Sequence, residues 1–153
     1  MIKLTKEIKF AEDLLEFIKR SPSSFHVVKN VKDELIENDF IELDSRERWD
    51  IKKGGKYFVT TNDSAIVAFV VGHGELPKDG FKLIGAHTDS PTFRIKPNPE
   101  MVEEGSYLRL NTEVYGGPII NTWLDRPLSI AGRVVVRGKD AFKPEVHLLN
   151  IDK

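Results

Sequence analysis

Cysteine is absent from this 153-residue chain. That excludes disulfides and thiolate metal sites, so any metal would have to be held by histidine and carboxylate. Net charge is nearly absent too: 23 Lys+Arg against 24 Asp+Glu leave −1 at pH 7. The charges are interspersed, with no basic footprint for nucleic acid and no polybasic patch for a membrane surface. Neither partner is expected. No apolar run approaches the ~20 residues that span a bilayer. Met1-Ile2-Lys3-Leu4 leads into charged residues rather than an apolar signal core. A cytoplasmic protein is the expectation. Internal repeats and low-complexity tracts are missing as well. What remains is 40% hydrophobic and 31% charged, an ordinary balance in a length that suits one domain or parts of two.

The first forty residues carry a helical period. Ile8, Ala11, Leu14, Leu15 and Ile18 predict an amphipathic helix over 6–20, packed on a sheet, with Thr5 as N-cap and Ser21-Pro22 as its stop. Ser23 or Ser24 caps a second helix running to about Asn38, with Val27, Val28, Val31, Leu35 and Ile36 on its apolar face. Phe40 to Leu43 alternates like a short strand. Trp49 to Gly72 reads as strands joined by turns at Lys53-Gly54-Gly55-Lys56 and Asn62-Asp63-Ser64. Ala65 to Val71 is apolar throughout and predicts a central strand buried on both faces. Lys96-Pro97-Asn98-Pro99 reads as a linker or crossover. Beyond Ser106 the strands Tyr107–Leu110, Glu113–Tyr115, Ser129–Arg137 and Glu145–Leu149 follow without a helical period.

Chemistry concentrates in Leu83-Ile84-Gly85-Ala86-His87-Thr88-Asp89-Ser90-Pro91. Lys82 to Ala86 predicts a strand, and residues two apart on a strand share a face. His87 and Asp89 then point to one spot, where imidazole can ligate zinc and the carboxylate can orient the ring. The pair alone is a weak signal, since 4 histidines and many aspartates make one H-x-D expected by chance. His26, in the first turn of the second helix, reads as a surface or capping residue before it reads as a ligand. His73, between two glycines, reads as a loop residue. A single-metal site built from His87, Asp89 and His26 or His73 is the least favoured alternative.

Five segments in order resemble one family. They are Ser21-Pro22-Ser23-Ser24-Phe25-His26 (with Ser24 where proline is common), Lys56-Tyr57-Phe58 with Ile66-Val67-Ala68-Phe69, the Leu83–Pro91 stretch, Glu113-Val114-Tyr115-Gly116-Gly117, and Asn121-Thr122-Trp123-Leu124-Asp125-Arg126-Pro127-Leu128-Ser129-Ile130-Ala131-Gly132-Arg133. Together they resemble the N-terminal third of an aspartyl aminopeptidase-type zinc metallopeptidase.

The resemblance implies a two-zinc hydrolase that removes N-terminal, often acidic, residues from peptides. It implies His87 as one metal ligand and Asp89 as the adjacent catalytic carboxylate. The bridging aspartate, paired glutamates and later ligands of that family have no counterpart here. Asp125 belongs to a motif of the β-rich second domain and is expected to pair with Arg126 or cap a turn.

The expected fold class is α/β. Residues 1–96 form helices on a mixed sheet, the N-terminal part of a catalytic domain. Residues 97–153 form the first strands of a β-rich dimerisation domain that ends straight out of a strand and reads as truncated. The isolated chain is expected to be inactive. The competing reading is a non-catalytic module that self-associates into a homo-oligomer through the β-rich segment.

Overall fold

The computed structural model describes residues 5–140 and 142–151. α1 spans Lys6–Arg20, and the Thr5 hydroxyl accepts a 3.4 Å hydrogen bond from the Ile8 amide at its start. Glu7 in the first turn and Lys19 and Arg20 in the last complement the helix dipole. α2 spans Ser24–Glu37 and ends at Asn38, whose side chain donates back to the Glu34 carbonyl at 2.8 Å. Asp39, at φ 66°, then turns the chain through the left-handed region.

β1 (Ile41–Glu42) runs parallel to β2 (Lys56–Thr61), and β2 runs antiparallel to β3 (Ala65–Val70). This is the expected mixed sheet, in the order β1-β2-β3. Asn62, Asp63 and Ser64 join β2 to β3, the first two with φ of 53° and 54°. The two consecutive left-handed residues make a tight turn, closed by the Ser64 amide donating to the Thr61 carbonyl at 3.1 Å, and Asn and Asp tolerate that backbone better than other side chains. Lys53–Gly55 turns the chain into β2: Gly54 takes φ 76° beneath the His73 ring and donates its amide to Val71 at 2.8 Å. α3 is a single turn, Leu76–Asp79.

The described chain divides into two compact units. The residues up to Thr88 and those from Ile130 onward form the first, and Asp89–Ser129 form the second. In the second unit β4 (Thr92–Glu103) and β5 (Tyr107–Tyr115) make an antiparallel hairpin. A 3₁₀ turn, Ile120–Thr122, follows. It leads to Trp123, which meets the Phe93 ring edge-on at 5.1 Å.

β6 (Ile130–Val136) and β7 (Glu145–Ile151) pair antiparallel and return the chain to the first unit. Arg133 on β6 fastens them there. Its guanidinium donates to the Asn62 carbonyl at 2.9 Å and lies 4.2 Å from the centre of the Phe25 ring.

The buried core of the described residues is small: Val28, Tyr57, Phe58 and the polar His26. Two of these residues, His26 and Val28, lie on α2 and two, Tyr57 and Phe58, on β2. Three expectations change here. α1 has the predicted period but buries no residue, and Phe10 and Leu15 are exposed. A helical period shows that a face could be covered, not what covers it. β3 is an edge strand rather than a central one, with Val67 and Val70 exposed. Its unbroken apolar composition fits burial on two faces, yet among the described residues only β2 pairs with it. Pro97-Asn98-Pro99 is no linker. It lies inside β4, where the ladder shifts register between Ile95 and Glu100 and Asn98 adopts φ 54°. Prolines cannot donate to a ladder, so the strand tolerates them only where pairing is interrupted.

Candidate active site

Lys82–Ala86 does not form the predicted strand. Residues 81–87 are exposed and outside every ladder among the described residues, with Leu83 at 91% and Ile84 at 97% exposure. Pairing is non-local, and an apolar composition cannot supply a neighbour. The period-two geometry that a strand would impose on residues 87 and 89 is therefore missing. One anchor holds the segment to its own unit: the Thr88 hydroxyl donates to the Ser64 carbonyl at 2.7 Å. His87 is exposed and belongs to the first unit, while Asp89 opens the second.

Zinc needs three protein ligands in a catalytic site and usually four in a structural one. Among the described residues no three His, Asp or Glu side chains come together to hold a metal ion. The residues present do not fit a zinc pair, and no chemical step through zinc is derived from them. The single-metal alternative fails on the same observation. Asp125 sits in a bend at φ 54°, and Arg126 turns instead to the Thr122 carbonyl at 3.4 Å.

The second unit holds Asp89 in a definite setting. Thr92 pairs with Tyr115 and Arg94 with Glu113 across the hairpin. Cross-strand partners share a face, so Arg94 is the diagonal neighbour of Tyr115. Its guanidinium lies 4.4 Å from the centre of the Tyr115 ring. The Tyr115 hydroxyl reaches past the end of β4 and donates to Asp89 Oδ2 at 2.6 Å. Beside it Gly116, at φ 70°, leaves β5 against Pro91. The hydrogen bond to Asp89, then the negative charge of Asp89, raise the Tyr115 phenol above its ordinary value of 10, opposed by Arg94. Tyr115 is thus a proton donor throughout the neutral range. Sequence reasoning missed it, although Tyr115-Gly116-Gly117 placed a strand end beside a turn.

His26 is buried rather than on the surface. Its Nδ1 lies 2.7 Å from the hydroxyl of the N-cap residue Ser23, an internal contact of the first turn of α2. Burial first, and the Lys29 charge second, hold its imidazole below the ordinary 6.5. The unfolded chain therefore takes up the proton first as pH falls. The contribution of His26 to stability is complete above pH 6.5 and is lost as pH drops through that value toward the lowered one. His26→Gln is expected to flatten the acid limb of a plot of urea midpoint against pH. An unchanged limb would mean that other groups carry it.

The Asp44 carboxyl is pulled down to about 2 by hydrogen bonds from the Arg46 side chain and then its backbone amide. It clamps an exposed loop, and its low value marks an ion pair rather than a reactive group. An open cleft of about 420 Å³ lies beside it, lined by Glu42, Leu43, Asp44, Ser45 and Thr60. It contains neither His87 nor Asp89.

Comparison with known proteins adds what the geometry leaves out. The family described as Aminopeptidase I zinc metalloprotease (M18) matches residues 17–153. The chain is 63% identical over 150 residues to a probable M18 family aminopeptidase 2 of Clostridium acetobutylicum, covering 98% of this chain and 35% of that protein. The chain therefore spans about a third of the length of that curated relative. Chaetomium thermophilum mApe1 matches with a TM-score of 0.86 and 37% identity, over 94% of this chain and 33% of that one. The S. cerevisiae mApe1 dodecamer matches with a TM-score of 0.84 and 28% identity, over 92% and 33%. The helices, mixed sheet and antiparallel hairpins are those of an α/β fold shared with these aminopeptidases. The chain belongs to the M18 family of aminopeptidase I zinc metalloproteases.

Proposed function

We propose that this chain is the N-terminal part of a zinc aminopeptidase that removes N-terminal residues, acidic ones preferentially, from peptides. His87 supplies one ligand to a two-zinc centre and Asp89 is the catalytic carboxylate beside it. The observation that carries the reading is the M18 match over residues 17–153, which takes in the Leu83–Pro91 stretch. The division of the parent enzyme near residue 96, into a catalytic part and a β-rich part, belongs to the same proposal.

The donor set of the described residues favours a chain without peptidase activity of its own. The test is zinc content after dialysis, measured beside hydrolysis of an aspartyl-anilide. Substoichiometric zinc and no turnover are expected. Stoichiometric zinc with turnover would overturn the inactive reading.

Self-association is the second reading. β4, β5, β6 and β7 form two separate two-stranded sheets, and Val102, Leu108 and Val135 on them are exposed. Unpaired strand edges beside apolar side chains favour pairing with a second chain. The dodecameric state of S. cerevisiae mApe1 lends this reading support. Light scattering is expected to give a mass above the 17.4 kDa of one chain, rising with concentration. A strict monomer at all concentrations would sink it.

A further inference from the structure

We propose that Tyr115 is a positioning residue for Asp89, fixing the carboxylate through its phenol O–H while Arg94 holds the ring from the neighbouring strand. The inference rests on the aminopeptidase reading for the role of Asp89, and on geometry for the contact. The phenol donates to Asp89 Oδ2 at 2.6 Å, and the two residues are 26 positions apart in the sequence. Such a bond joins the segment leading into β4 to the last residue of β5. A free aspartate rotates about two side-chain bonds; one short bond from a rigid ring removes most of that freedom.

Tyr115 is itself well located. Its backbone closes the hairpin ladder opposite Thr92. Its ring is half-buried, with the Arg94 guanidinium 4.4 Å from its centre. Beyond it the chain turns at Gly116, against Pro91. The Asp89–Pro91 segment therefore meets the end of β5 at two places, Pro91 against Gly116 and Asp89 against the phenol. A carboxylate that orients a neighbouring group in a reaction must itself be held, and a misplacement of ~1 Å can cost a factor of ~100 in rate.

Tyr115→Phe keeps the ring, its packing and the Arg94 contact, and removes only the donor. Two measurements test the proposal. The first uses the chain alone and needs no activity. Tyrosinate absorbance is followed with pH in the wild type, in Asp89→Asn and in Tyr115→Phe. The chain has 3 tyrosines. One phenol titration is expected to disappear in Tyr115→Phe, and that same phenol is expected to titrate at lower pH in Asp89→Asn. If Asp89→Asn moves no phenol, the contact does not exist in solution and the proposal fails.

The second measurement grafts this chain onto the remainder of the Clostridium acetobutylicum relative. There Tyr115→Phe is expected to lower kcat by ~10–100-fold with little change in KM. A loss of fold would instead lower active enzyme and stability together. Full kcat in Tyr115→Phe overturns the positioning role. A wild-type graft that folds but turns over no aminopeptidase substrate counts against the aminopeptidase reading, and with it against any positioning role in catalysis, while the phenol titration still decides the contact.

Discussion

The purified 153-residue chain is expected to show no aspartyl-anilide hydrolysis above buffer and to keep substoichiometric zinc after dialysis. Joined to the remaining two thirds of its Clostridium acetobutylicum relative, it is expected to recover both. The difference should approach the whole acceleration that an enzyme gives over the uncatalysed reaction, at least ~10⁶-fold. The reason is coordination. A catalytic zinc takes three protein ligands and a water, and a zinc pair takes more. No three acidic or histidine side chains come together among the described residues. Metal affinity builds steeply with ligand number, because the ordering of each ligand is repaid only when the set is complete. One exposed imidazole holds zinc too weakly to survive dialysis. If the chain alone returned two zinc ions with turnover, residues outside the Leu83–Pro91 stretch would have to supply the ligands, Asp125 first among them.

The local parts of the fold were legible and the non-local parts were not. Thr5, Ser23 and the Ser21-Pro22 break marked both helices, because caps and stops are written within a few residues. Asn62-Asp63 marked its turn for the same reason: two positive φ values restrict which side chains can sit there. Pro97-Asn98-Pro99 misled, since proline marks a broken ladder whether the chain leaves the sheet or shifts register within it. Lys82–Ala86 and β3 misled in another way. Their composition states a preference for being covered, but cannot name the neighbour.

The site divides along the same line. His87 and Asp89 stood out as a motif of adjacent residues. Tyr115 and Arg94 did not, because their relation to Asp89 exists only once β4 and β5 pair. His26 stood out as a histidine, while its burial depended on the tertiary packing around α2.

Phe58→Ala is expected to abolish the cooperative unfolding transition of the first unit. Phe58 is fully buried, and the apolar residues buried with it among those described are Val28 and Tyr57. Its backbone ties three strands together: it lies opposite Glu42 of β1 and Ala68 of β3, and its carbonyl accepts from the Leu43 amide at 2.8 Å. Removing a buried phenylalanine ring costs about 3–5 kcal/mol, the lost transfer energy plus the cavity left behind. A domain holds only about 5–15 kcal/mol in total, and one with so few buried side chains belongs at the low end. The loss is therefore comparable to everything that keeps the unit folded. Val67→Ala, on the same sheet at 60% exposure, makes the control, since an exposed side chain loses little on truncation and its expected cost is below ~1 kcal/mol. Urea titration followed by circular dichroism distinguishes them. The Val67 variant should keep a sigmoidal transition near the wild-type midpoint, and the Phe58 variant should give a sloping line without one. A sigmoidal Phe58→Ala transition within ~1 kcal/mol of wild type would mean that this ring does not hold the unit together, and that the exposed apolar faces of α1 and β3 find cover in solution.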